Sequence, residues 1–308
     1  MAVPTAPPPP PPTGRSLGGY AAAVAITVVA ILSQYFVPAL VPAARPLYST
    51  LLGDLAVVYG IPIAAGAALI GTGPLRHWRR HTGLAAVEGL RWYGALTVLG
   101  LVVVAGLTVI YLAVDPGALT LLERPNPALA QAAGDPAFFI ALSFVIGAAE
   151  ETIFRGWIYG FWVARGGRWV VPAAATSVLF AGLHLYYGTT YGIAAPLLFP
   201  TLFLLGFAFA ATFRASGGNL VVVALLHGAF DAAAFLSLID LEAGVLARYV
   251  PVFVGAALFL VLAVRRPGSP WRPLGSLAAR RGAAERPLSR AAPSGSEPST
   301  AVPPRGGP

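Results

Sequence analysis

The chain has 308 residues, 57% of them hydrophobic and only 10% charged, with a formal net charge of +8 and no cysteine. It is too apolar for one soluble core and too long for a single anchor, which leaves a polytopic membrane protein. The absence of cysteine excludes disulfides, thiolate metal ligands and a cysteine nucleophile. In a soluble protein the positive charge would point to nucleic acid. Here the arginines stand in loops and tails beside apolar runs, where topology accounts for them and no nucleic-acid partner is expected.

Residues 1–18 begin the chain as a Pro-rich tail, with an unbroken proline run at 7–12 that cannot build a packed core. Apolar runs then fall at 19–42, 48–72, 92–114, 137–164, 170–187, 192–212, 219–239 and 245–264, each near the ~20 residues that a spanning helix needs. None shows the alternation of a β-barrel strand, so the fold class is all-α, a bundle of about eight transmembrane helices. The first run follows only Arg15 and lacks a small-x-small cleavage site, so it reads as a retained helix rather than a signal peptide. The transmembrane domain is expected to cover 19–264, and residues 265–308, rich in Pro, Ser, Gly and Arg, to be a disordered basic tail.

Arginine placement orients the bundle. With the N-terminus inside, the inner segments hold Arg15, then Arg76, Arg79, Arg80 and Arg91, then Arg165 and Arg168, then Arg214 and the C-terminal tail. The outer loops hold Arg45, Arg124 and Arg248 with Asp115, Glu123, Asp135, Asp240 and Glu242. That asymmetry supports eight helices with both termini cytoplasmic. The basic residues are all arginine; with abundant Ala, Gly and Pro this is the composition of a GC-rich genome, and a prokaryotic cell membrane is the expected location. His77 and His81 stand at i, i+4, but three arginines surround them and no glutamate lies between them. They read as part of a juxtamembrane basic anchor around Trp78 rather than as a metal site. Asp54 lies near the start of its run, at the expected interface.

Ionisable groups at bilayer depth cost roughly 2.5–3.5 kcal/mol each on insertion scales, so those that persist there face a polar cavity, pair, or do chemistry. Three runs of the second half carry such groups. The first contains Glu150, Glu151 and Arg155; Glu151 and Arg155 are i, i+4 neighbours in the favourable order for an ion pair, while Glu150 is turned ~100° away. The second contains Phe180 and His184, and the third His227 and Asp231, again i, i+4 on one face. Gly182, Gly228 and Ala229 beside them would admit a close helix or a substrate backbone. Singly, each feature reads as packing, an interhelical hydrogen bond or a structural ion pair. Together Glu150, His184, His227 and Asp231 have the composition of a hydrolytic site, with Glu151 and Arg155 in support.

In this order on membrane helices, Glu-Glu-x-x-x-Arg at 150–155, Phe-x-x-x-His at 180–184 and His-x-x-x-Asp at 227–231 resemble the three motifs of the CPBP family, the CAAX proteases and bacteriocin-processing enzymes also called Abi. The resemblance covers about residues 137–264 and implies an intramembrane endopeptidase acting on a peptide or protein at the bilayer. It implies that Glu150 activates water with His184, while His227 and Asp231 stabilise the oxyanion and orient the site. Many members end the third motif in Asn; Asp231 donates no hydrogen bond unless protonated, which unsettles the oxyanion role. Two histidines plus Glu150 or Asp231 also have the ligand types of a catalytic zinc site, so a zinc-dependent version, through Glu150, His184 and His227 in the first case, stands beside the metal-free glutamate base, which is favoured. Competing readings are an ion-coupled transporter relaying charge along the same residues and a non-catalytic immunity or scaffold protein. Depth is discordant, His184 lying close to the end of its run while Glu150 is mid-span, unless helices tilt or the fifth ends inside a cavity, with residues 188–192 as a turn that stays within the protein.

Overall fold

The computed structural model describes residues 17–73, 83–114, 116, 135–163, 169–185 and 195–265. Both tails, the segment 76–81 with its two histidines, Asp115, Glu123, Arg124, Arg165, Arg168 and the stretch 188–192 lie outside them.

Each apolar run becomes a helix. They are α1 (Leu17–Leu40), α2 (Leu51–Ile70), α3 (Gly83–Val114), α4 (Pro136–Val163), α5 (Val170–Leu183), α6 (Ala195–Ala215), α7 (Leu220–Ile239) and α8 (Leu241–Arg265), with short helical turns between α1 and α2. Among the described residues no strand occurs. Six of the helices, α1, α2, α3, α4, α6 and α8, contain stretches long and apolar enough to cross a membrane; α5 and the apolar stretch Leu220–Leu236 of α7 are shorter. The eight expected spans thus resolve into six long helices and two shorter ones. Large apolar side chains stand exposed along the outer faces, among them Val29, Leu52, Val102, Val109, Val171 and Phe253. An integral membrane protein presents such faces to lipid.

Helix ends follow local chemistry. Asp135 caps α4 by accepting from Phe138 N, with Pro136 at the first position where no amide hydrogen is needed. Asn219 caps α7 from Val221 N and Val222 N, and Asp240 accepts from Ala243 N at the start of α8. Gly217 and Gly218, at φ of 71° and 79°, make the tight reversal between α6 and α7 that a side chain would strain. In α2, Pro62 has no amide hydrogen for Val58, and the turn ahead of it widens so that Ile61 N bonds to Ala56 O. A longer widened stretch, Thr152–Tyr159, follows the paired glutamates of α4, and all eight of its residues are buried.

The main packed pairs are α4 with α7, α3 with α8 and with α6, α5 with α6, and α7 with α8, while α1 packs on α2. Glycine permits the closest crossings. A Cβ on Gly147 of α4 would stand 2.8 Å from Gly228 N of α7, and one on Gly228 would stand 2.6 Å from the Phe144 ring. Gly228 therefore acts as the sequence suggests. At Gly182 no helix comes close: among the described residues nothing lies within 4 Å of where its Cβ would be, so the space beside it is open.

Of the arginines assigned to loops, Arg91 and Arg248 lie well inside helices and Arg214 lies in the last turn of α6. Helix α3 starts nine residues before its apolar run, because Arg91 is neutralised within the helix by an ion pair with Glu88, which also accepts from Trp92 Nε1 at 2.9 Å. Both charges are buried, and the Arg91 guanidinium lies 5.3 Å from the Phe259 ring of α8. Arg248 lies on α8, donating to Phe230 O at 3.2 Å and covering the Phe230 ring at 4.7 Å. Asp54 falls in the first turn after the Thr50 cap, at one end of α2 as expected.

A Cβ on Gly255 would stand 2.0 Å from Leu90 O, and one on Gly94 2.3 Å from Ala256 N, contacts with backbone that cannot rotate away. Gly255→Ala is expected to push α3 from α8 and cost about 1–3 kcal/mol, the range for overpacking. Thermal melts in detergent check this, with Gly106→Ala, whose added methyl meets nothing within 4 Å, unchanged.

Candidate active site

Most hydroxyls inside the apolar helices are satisfied within their own helix: Thr27 by Ala23 O, Thr108 by Val104 O, Ser143 by Phe139 O, Thr176 by Pro172 O and Ser177 by Ala173 O. The six charged or imidazole side chains singled out in the sequence behave differently, because their polar atoms reach across helices to one another.

Glu151 and Arg155 form the expected i, i+4 ion pair, Nη1 to Oε1 at 2.9 Å, with both side chains wholly buried. The pair has further partners. Arg155 Nη2 donates to Gly206 O of α6 at 2.9 Å, and its guanidinium lies 4.9 Å from the Phe180 ring and 5.3 Å from the Phe209 ring. The same Oε1 of Glu151 accepts from His227 Nδ1 at 2.7 Å. An ion-paired carboxylate can only accept, so Nδ1 carries the hydrogen and Nε2 is turned toward the site.

Glu150 is also buried, one residue earlier and on another face. Its Oε1 lies 3.7 Å from His184 Nε2 and its Oε2 lies 3.7 Å from His227 Nε2. His184 caps the C-terminus of α5, and its Nδ1 donates to Phe180 O at 2.6 Å, a contact that requires the hydrogen because a carbonyl only accepts. Both imidazoles are therefore held from behind through Nδ1, with Nε2 facing Glu150. Phe180 adds a stacking surface, 4.4 Å from the His184 ring and 5.9 Å from the His227 ring, and Phe209 stacks on His227 at 4.7 Å. Asp231 Oδ2 lies 3.4 Å from His227 Nε2, and its side chain is 35% exposed. Asp231 thus marks the open side of a site whose other groups are covered.

Helix α5 is short: its 14 residues span about 21 Å against a hydrocarbon layer of ~30 Å, and His184 at its C-terminal end lies beside Glu150 of α4.

A metal would need its donors to converge. The histidines approach opposite oxygens of Glu150, and among the described residues no three His, Asp or Glu side chains form a group that could hold an ion. The residues as arranged do not fit the zinc set of Glu150, His184 and His227.

Sequence reasoning missed one neighbour. Tyr59 of α2 donates its hydroxyl to Glu150 Oε1 at 3.1 Å. Its one sequence signal is a tyrosine nine residues into a span, deeper than the interface where this residue usually sits. The second bond of Glu151, to His227, was likewise invisible, since its partners are 76 residues apart.

Residues 132–233 match the family model described as type II CAAX prenyl endopeptidase Rce1-like. The matched segment contains all three motifs from which the CPBP resemblance was drawn; α1, α2 and α3 lie outside it. No curated protein and no solved structure matches the chain.

Replacing Arg155 alone leaves the Glu151 charge buried without its counter-ion. Arg155→Met is expected to cost about 3–5 kcal/mol, and Glu151→Gln with Arg155→Met to recover much of it. Denaturation of the detergent-solubilised variants, followed by tryptophan fluorescence, measures both.

Proposed function

From the premise that residues 132–233 are Rce1-like sequence, we propose that the chain is an intramembrane endopeptidase hydrolysing a peptide bond with water activated by Glu150. The observation that carries this reading is the Glu150 carboxylate, buried and flanked on each oxygen by an imidazole Nε2 at 3.7 Å.

In this mechanism water enters from the Asp231 side and Glu150 accepts one of its protons as the oxygen attacks the scissile carbonyl carbon. The carbonyl π electrons move onto oxygen, giving a tetrahedral oxyanion. His227, when protonated at both nitrogens, donates from Nδ1 to Glu151 and offers Nε2–H to that oxyanion. Collapse reforms the carbonyl and expels the amine, which takes its proton from Glu150 directly or through His184. Asp231 serves by orienting His227 Nε2, at 3.4 Å, rather than by donating to the oxyanion. Glu151 and Arg155 have a supporting role, holding the imidazole in its productive tautomer and rotamer.

The substrate proposed is a membrane-associated peptide or protein. A prenylated CAAX protein needs a prenylating host; for a GC-rich prokaryote, a bacteriocin-like peptide, a leader peptide or a membrane regulator is the better candidate. Both termini are assigned to the cytoplasm, on the arginine asymmetry.

Incubation of a peptide library with the purified protein tests the reading. Wild type is expected to cleave, and Glu150→Gln to lose about 10²–10⁴-fold in kcat with its melting curve preserved. Cleavage is expected to survive chelation and dialysis. A Glu150→Gln protein as active as wild type would remove Glu150 from the chemistry.

A further inference from the structure

A glutamate carboxylate turns broadly about its last torsion, so a general base needs something to fix which oxygen meets the water. The two histidine Nε2 atoms stand 3.7 Å from the Glu150 oxygens, one on each. The hydroxyl of Tyr59 is nearer, at 3.1 Å from Oε1. Resting on the protease reading above, we infer that Tyr59, from a helix outside the Rce1-like segment, is a positioning residue of the site: its hydroxyl holds Glu150 Oε1 and leaves Oε2 to take the proton from water.

The surrounding packing fits that role. Tyr59 lies in the widened turn Ala56–Gly60 that Pro62 imposes on α2, and packs with Val58 and Ile63 against Ile153, Phe154 and Ile158 of α4 and Phe180 and Leu183 of α5. Toward its C-terminal end α2 is pinned to α4 a second time. Trp157 Nε1 donates to Gly71 O at 2.8 Å, and a Cβ on Gly66 would stand 2.6 Å from the Trp157 ring. Both fixtures hold residues of the widened turn Thr152–Tyr159, which follows directly on Glu151, and so set the distance between the phenol and the carboxylate. The oxygen left over, Oε2, faces His227 and, beyond it, the partly exposed Asp231, the side from which water and substrate arrive.

The test is a kinetic cycle on a cleaved peptide with wild type, Tyr59→Phe, Glu150→Gln and the double variant. Tyr48→Phe is the control for losing a phenol hydrogen bond elsewhere, the 2.9 Å contact with Ser33. Tyr59→Phe is expected to lower kcat by about 10–100-fold with KM within about twofold, and to add no loss in the Glu150→Gln background, because the phenol acts through Glu150. Tyr48→Phe is expected to keep wild-type kcat. Cleavage that needs Glu150 but proceeds at full kcat in Tyr59→Phe would overturn the role of Tyr59 and spare the protease reading. An equal further loss in the Glu150→Gln background would also overturn it, since the phenol would then act independently of the base. Wild-type protein with no Glu150-dependent cleavage would end both.

Discussion

One oxygen of Glu151 organises the reactive half of the bundle. It accepts from Arg155 one turn along α4 and from His227 on α7, and both bonds are short and inaccessible to water. Burying such a carboxylate is expensive, and the expense is offset only when its partners are charged and well placed. Arg155 passes the constraint onward, to a carbonyl of α6 and to the faces of Phe180 and Phe209. Four helices are thus tied through a single ion pair, and the imidazole that faces Glu150 takes its orientation from the glutamate beside it.

The widened turn after this pair has a geometric effect. In a regular α-helix the residues after Glu151 would keep returning to the same face at 3.6 per turn; from Thr152 to Tyr159 the period lengthens and Phe154, Arg155, Trp157 and Tyr159 are all buried. Arg155 turns to α6, Trp157 to the end of α2 and Tyr159 to the cluster with Phe213, Leu220 and Val223. The segment becomes the hub on which the N-terminal pair of helices and the family-like segment meet.

What could be read from sequence was whatever lies within one turn of a helix. The Glu151–Arg155 pair and the shared face of His227 and Asp231 follow from a spacing of four, and the apolar runs locate the helices to within a few residues, α3 excepted. Contacts between helices leave no such period. Tyr59 and Glu150 are 91 residues apart, and a tyrosine in an apolar run looks like packing. Arg91 was misplaced for a related reason: a hydropathy window stops at a charge, whereas Glu88 sits one turn back and lets the helix continue through it. The depth of His184 could be flagged as discordant but not resolved, because where a helix stops inside a protein depends on what its last turn packs against.

The locality of the Glu151–Arg155 pair also bears on how the chain enters a membrane. His227 of α7 is made 76 residues after Glu151, so during synthesis Glu151 cannot rely on it. Arg155 travels on the same helix and can neutralise Glu151 from the moment α4 folds. Each unpaired charge adds roughly 2.5–3.5 kcal/mol to insertion. Helix α4 therefore carries its own counter-ion into the bilayer, and Glu150 is the carboxylate left waiting for α5 and α7 to arrive.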